Sequence, residues 1–183
     1  MTVDLCGARD NPAIAARPQR RESRAMADSA IVLPVDGRQS PTAAAIQRGV
    51  RRLFARLGHV TLPEFTLANG RRADVIALSP QGQLTIIEIK SSVADFRADR
   101  KWPDYECFCD AFYFAVPEGL PLDIMPDDRG LIVADAFDAA ILREAQRHPL
   151  SGARRKAVTL SFARLAAGTL HALADPQARL STI

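Results

Sequence analysis

Three residues of this chain combine side chains and spacing suited to hydrolysis: Asp74, Glu88 and Lys90. Asp74 lies in one apolar run, Ala73-Asp74-Val75-Ile76-Ala77-Leu78, and the others in a second, Leu84-Thr85-Ile86-Ile87-Glu88-Ile89-Lys90. Between them stands Ser79-Pro80-Gln81-Gly82-Gln83, where Pro presets a turn and Gly supplies a left-handed residue, so an antiparallel hairpin is predicted. If residues 80–82 form the loop, Ser79 faces Gln83, and counting outward puts Asp74 opposite Glu88. Opposed residues have Cβ atoms about 4.5–5.5 Å apart, a separation at which two carboxylates repel unless positive charge lies between them. Side chains alternate along a strand, so Glu88 and Lys90 share this face while Ile87 and Ile89 take the other. Such a patch suits metal-assisted phosphodiester hydrolysis. The acids would hold Mg²⁺ or Mn²⁺, and Lys90 would orient or deprotonate the attacking water.

A Glu-Ile-Lys triplet alone is usually a charge-balanced strand face. Three features favour the active-site reading here: Asp74 falls in register, the strand is otherwise too apolar for a solvated edge, and basic residues crowd the neighbourhood.

The pattern of Asp74, a hairpin turn and Glu88-Ile89-Lys90 resembles the core signature of the PD-(D/E)XK nuclease superfamily, with Ala73 where Pro is usual. A closer resemblance, to the MmcB family of bacterial DNA repair proteins, rests on residues 70–74, 88–92, 95–105 and Cys109-Asp110, and spans roughly residues 40–176. These resemblances imply a restriction-endonuclease-like core, DNA as substrate, the Ile89 carbonyl as an extra metal ligand beside Asp74 and Glu88, and action in repair alongside other repair proteins. Many superfamily members add an acid from the first helix, and this helix has none. Glu64 on the preceding strand is the substitute candidate and Gln47 a weaker one. The competing reading is a non-catalytic DNA-binding or assembly module on a nuclease fold, supported by that missing helical acid.

The elements that would position the hairpin are legible on either side of it. Ser40-Pro41 has N-cap chemistry, and Ile46, Val50, Leu53, Phe54 and Leu57 follow at helical spacing up to Gly58, predicting an amphipathic helix over residues 40–57. Its other faces carry Arg48, Arg52 and Arg56 with Arg51 alongside and no acid, a row that either is simply solvated or meets phosphate. Residues 60–67 read as a strand broken by Pro63, and Asn69-Gly70 turns the chain into the Asp74 strand alongside Arg72. After Lys90 a short helix over about 93–101 brings Arg97, Arg100 and Lys101 beside the site before Trp102-Pro103 ends it. Residues 105–116 and 130–134 read as buried strands. Residues 139–145 fit a strand or a helical turn, and strand is preferred.

The last helix begins near Ser151 and puts Val158, Phe162, Leu165, Thr169 and Leu173 on one face. Arg154, Arg155 and Lys156 in its first turns oppose the helix dipole, so either an anion or plain solvation accompanies them. The predicted fold is α/β: a mixed sheet of about five strands flanked by these two long helices.

With 183 residues, 25% charged and 48% apolar, the chain suits one soluble domain plus an extension. No apolar run reads as long enough to cross a membrane. A net charge of +3 rich in Arg permits nucleic acid. Residues 1–39 lack sustained periodicity and predict a disordered or non-native arm, with Met26 resembling a native start; residues 177–183 read as a tail. Cys6, Cys107 and Cys109 frame no disulfide pattern, which predicts free thiols in a reducing cytoplasm. Cys107 and Cys109 would need further ligands to hold zinc, and His59, His148 and His171 are scattered.

Overall fold

In the computed structural model of the protein, which describes residues 39–177, the turn after Ser79 sets the register from which the site follows. Ser79 N–H donates to the Gln83 carbonyl at 2.9 Å, and Gly82 takes a φ of +79°. Strands β2 (Arg72–Leu78) and β3 (Leu84–Ile89) then pair antiparallel from Leu78–Leu84 to Val75–Ile87. One more step places Asp74 across from Glu88, as the sequence predicts. The expected arm and tail lie, but for their innermost residues, outside the described residues.

Around this hairpin the sheet runs in chain order. Strand β1 (Val60–Thr66) is one edge and pairs antiparallel with β2. Pro63 is tolerated there because an edge strand has a free side on which no donor is needed. Strand β4 (Ala111–Val116) pairs parallel with β3, β5 (Gly130–Ala134) parallel with β4, and β6 (Ala139–Arg143) antiparallel with β5. The sheet has six strands, one more than expected, and residues 139–143 are the strand that the sequence favoured.

Helix α1 (Pro41–Arg56) starts where Ser40 Oγ accepts the Ala43 N–H. It covers one face through Ile46, Val50, Leu53 and Phe54, against Val75, Ala77, Ile87 and Ile89. Gly49 is required by close approach, since a Cβ there would lie 2.3 Å from the Asp135 carbonyl oxygen. The other face, with Ile76, Ile86, Phe112 and Phe114, is covered by a 3₁₀ helix (Trp102–Phe108) and by α3 (Gly152–Ala174), with α2 (Val93–Ala98) contributing Val93 and Phe96. Alternation along β3 puts Glu88 and Lys90 on this second side, beyond the aromatic packing.

Three expectations change. Residues 102–108 form a 3₁₀ helix, so the strand begins at Ala111 and not at Tyr105. Pro103 suits a first helical turn, and Tyr105 and Phe108 are buried three apart, the spacing at which 3₁₀ side chains align. Second, α3 buries only Val158 and Phe162, while Leu165 is 41% and Leu170 66% exposed. Its backbone packs mainly on β1 and the 3₁₀ helix, so the helix runs past the structure it packs on. Third, α3 is long and apolar enough to cross a membrane by length and composition, which the sequence reading excluded. Arg164 at mid-helix, and the packing of Val158 and Phe162 into the core, make it a helix of this domain.

Candidate active site

Asp74, Glu88 and Lys90 meet at the carboxyl end of β3, in a cleft of about 530 Å³. Glu88 and Lys90 are buried, and Asp74 is half-buried. One Asp74 carboxylate oxygen accepts the Ile89 N–H at 2.8 Å, and Glu88 Oε1 lies 3.3 Å from the Asp74 N–H. Each acid is therefore tied to the other's strand, which fixes both side chains on the shared face. Gln47 on α1 donates to the Asp74 carbonyl at 3.4 Å, so it supports the backbone there and does not supply the missing acid.

Glu64 does reach the cleft, by an unusual route. Among the described residues it is the one non-glycine with a positive φ, at 53°. It falls between the pairs Pro63–Val75 and Phe65–Ala73, a place where the left-handed backbone breaks the strand's alternation. Its carboxylate contacts Arg72 at 2.6 Å, and both line the cleft with Asp74 and Glu88.

Burial pushes Asp74 up to about 6, with the Ile89 N–H and Lys90 pulling the other way. Burial also raises Glu88 well above the carboxylate range, and the Asp74 charge adds to it. Both acids are thus disfavoured as anions unless positive charge arrives. Lys90 supplies some: Nζ is 2.5 Å from Asp99 Oδ2 and 3.8 Å from Glu88 Oε2. Burial alone would lower Lys90, but the Asp99 hydrogen bond and Glu88 hold it above its ordinary value, so it is an ammonium.

Two carboxylates and the Ile89 carbonyl are hard oxygen donors, the set that Mg²⁺ takes when it shares its shell with water and phosphate. Among the described residues no three Asp, Glu, His or Cys side chains are grouped to enclose an ion unaided. The donor set therefore fits an ion shared with substrate and not one caged by protein.

Asp99 was not singled out by the sequence as a site residue. It ends α2 in the crossover from β3 to β4, and only the packing of that crossover brings it to Lys90. The one available hint was its place in the motif after Lys90. Tyr105, read as strand, instead donates its hydroxyl to the Arg72 carbonyl at 3.1 Å and forms part of the cleft wall.

The basic residues divide. Arg72 and Lys101 line the cleft, while Arg97 and Arg100 are exposed near it on the crossover and Arg48 is exposed on α1. Arg52 donates to the carbonyls of Ala136 and Phe137, and Arg56 pairs with Asp138, so the fold supplies the partners that the helix lacks. At α3, Arg155 makes two hydrogen bonds of 2.7 Å to Asp110, and Arg154 stacks 4.6 Å from the Phe108 ring centroid. An anionic ligand is not needed to account for these four. Lys156 is exposed. Cys107 is exposed and Cys109 buried, both free.

Among solved structures the chain is similar to SPO1766, a protein of unknown function from Silicibacter pomeroyi. The identity is 41% and the TM-score 0.75, covering 79% of this chain and 99% of that one. No protein of curated function matches. A family model for MmcB-like DNA repair proteins matches residues 32–177, a span that contains every cleft residue described above. By that match the chain belongs to the MmcB-like family of DNA repair proteins.

Proposed function

We propose that the protein is a metal-dependent DNA endonuclease of the PD-(D/E)XK type, acting in repair. The observation that carries this reading is the pair of opposed carboxylates, Glu88 buried and Asp74 half-buried, with a lysine ammonium beside them in a cleft open to solvent. Asp74 and Glu88 would hold Mg²⁺ or Mn²⁺, with the Ile89 carbonyl and Glu64 as further donors. A bound dication would polarise the scissile phosphate and offset charge developing on its oxygens. Lys90, held as an ammonium, orients water and stabilises negative charge instead of abstracting a proton. Arg72 and Lys101 at the cleft, and Arg48, Arg97, Arg100 and Lys156 outside it, are the cations with which the protein would meet neighbouring phosphates.

The alternative, a DNA-binding module without catalysis, is favoured by one observation: no described group of three metal-binding side chains is ready-made. Purified protein incubated with single-stranded, duplex and branched DNA in Mg²⁺ or Mn²⁺ decides between them. Cleavage that Asp74→Ala, Glu88→Ala and Lys90→Ala each abolish supports the enzyme. DNA binding without cleavage on every substrate, and without metal-induced stabilisation, supports the module.

A further inference from the structure

The ammonium of Lys90 has more than one carboxylate within reach. It lies 2.5 Å from Asp99, which is half-buried, and 3.8 Å from Glu88, which is buried. An ammonium placed between Asp74 and Glu88 would satisfy them as a metal does, and would compete with one. We infer that Asp99 is a positioning residue for Lys90: it holds the ammonium to one side of the Asp74 and Glu88 pair, so that the lysine does not take the place of the cation. The inference rests on the reading of those two acids as metal ligands.

Asp99 is itself fixed by a closed set of local contacts. Its second oxygen accepts the Lys101 N–H at 2.7 Å, and its own N–H donates to the Phe96 carbonyl. At the other end of α2, Ser92 Oγ accepts the Asp95 N–H, and Asp95 accepts the N–H and hydroxyl of Ser91. These cap contacts begin at Ser91, the residue after Lys90, and lead into the helix at Val93. Phe96 then docks edge-on to Phe114 with centroids 5.6 Å apart, tying the helix to the sheet. The crossover thus leaves Lys90 at one end, returns a carboxylate to it at the other, and is tied down in between by these bonds and the Phe96–Phe114 contact.

Calorimetric titration of the full chain with Mn²⁺, which needs no turnover, tests the inference. Asp99→Ala should weaken Mn²⁺ binding by about tenfold or more, the usual scale for an outer residue that orients a metal site. Asp99→Asn keeps an oxygen that accepts from the ammonium, and should stay within about threefold of wild type. Lys90→Met combined with Asp99→Ala should regain the affinity lost in Asp99→Ala. If Asp99→Asn is as weak as Asp99→Ala, charge and not position is responsible, and the inference fails. If the double variant gains nothing, Asp99 is a direct ligand, and the inference fails again. A merely structural Asp99 would lower the melting temperature and leave Mn²⁺ affinity untouched.

A metal-free arm separates this inference from the nuclease reading. In denaturation cycles the coupling of Lys90→Met with Asp99→Ala should exceed that with Glu88→Ala. If wild type binds no Mn²⁺, the metal-site reading falls; equal couplings would in addition overturn the pairing of Lys90 with Asp99.

Discussion

Two carboxylate clusters stand at opposite ends of strand β3, and their states are opposite. At its amino end Asp110, also buried, has both oxygens satisfied. They accept the N–H groups of Leu84 at 2.8 Å and Leu150 at 2.9 Å and a two-pronged Arg155. Burial would raise Asp110, but Arg155 and these donors hold it below its ordinary value. At the carboxyl end burial raises Asp74 and Glu88, each facing another carboxylate, although Lys90 and, for Asp74, Arg72 pull the other way. One end joins β3, β4 and α3 into a fixed corner; the other keeps two carboxyls that burial holds above their ordinary values. Strain follows the same division, since the left-handed Glu64 borders the second cluster. Raised carboxyls beside a strained residue are what the proposed metal site would need, whereas a saturated cluster serves architecture.

The largest expected effect would sharpen this contrast through activity. Asp74→Asn should lower metal-dependent cleavage by at least roughly 10²–10³-fold, the loss typical for removing a group that offsets transition-state charge. Asp110→Asn should leave the rate of folded protein within about twofold of wild type, on the same reasoning. Single-turnover rates measure both, and equal losses would erase the distinction.

Stability should rank the clusters the other way. Asp110→Ala leaves Arg155 and two backbone donors without their acceptor, and should cost about 3–5 kcal/mol in urea denaturation. Asp74→Asn in metal-free buffer should cost nothing or stabilise, because it removes repulsion with Glu88.

The pH dependence should differ in sign. Asp74 moves from 3.8 to about 6 on folding, so between those values the folded state keeps a proton that the unfolded chain loses. Its contribution is full below about 4 and is lost as pH rises through about 6, on the order of 3 kcal/mol. Asp110 is lowered, so its contribution is present above the ordinary carboxylate value and lost as pH falls. Metal-free denaturation between pH 3 and 8 should therefore show Asp74→Asn gaining on wild type with rising pH, while Asp110→Asn loses ground. Curves that move together would break the comparison.

The two clusters also differ in how much of them the sequence discloses. Asp74 and Glu88 are joined by a tight turn, so counting along a hairpin places them, and the observed pairing agrees. Glu64 belongs to the next hairpin and was within reach of the same reasoning, although its left-handed backbone was not. Asp99, Asp110 and Asp138 find their basic partners only through the fold: Asp110 and Arg155 are 45 residues apart in sequence, and Arg56 and Asp138 are 82 apart. An arginine row without nearby acids therefore looks unpartnered until the sheet brings one. The same limit applies to α3, where periodicity picks out the apolar face but cannot say where the supporting sheet ends.

The smallest expected effect isolates the strain from the charge. At an ordinary strand position Gly is less stable than Ala by about 0.5–1 kcal/mol, because the unfolded chain gains freedom. At residue 64 the backbone sits at a φ of 53°, where a Cβ is unfavourable by about 1–2 kcal/mol. Glu64→Gly and Glu64→Ala both remove the carboxylate and its contact with Arg72, so their difference reports the backbone alone. The Gly variant should be the more stable by up to about 1 kcal/mol, inverting the ordinary order. Both variants should bind Mn²⁺ more weakly than wild type if the strain serves to aim this side chain at Asp74 and Glu88. An Ala variant as stable as the Gly variant would remove strain from the account of the site, and leave charge as what distinguishes the two ends of β3.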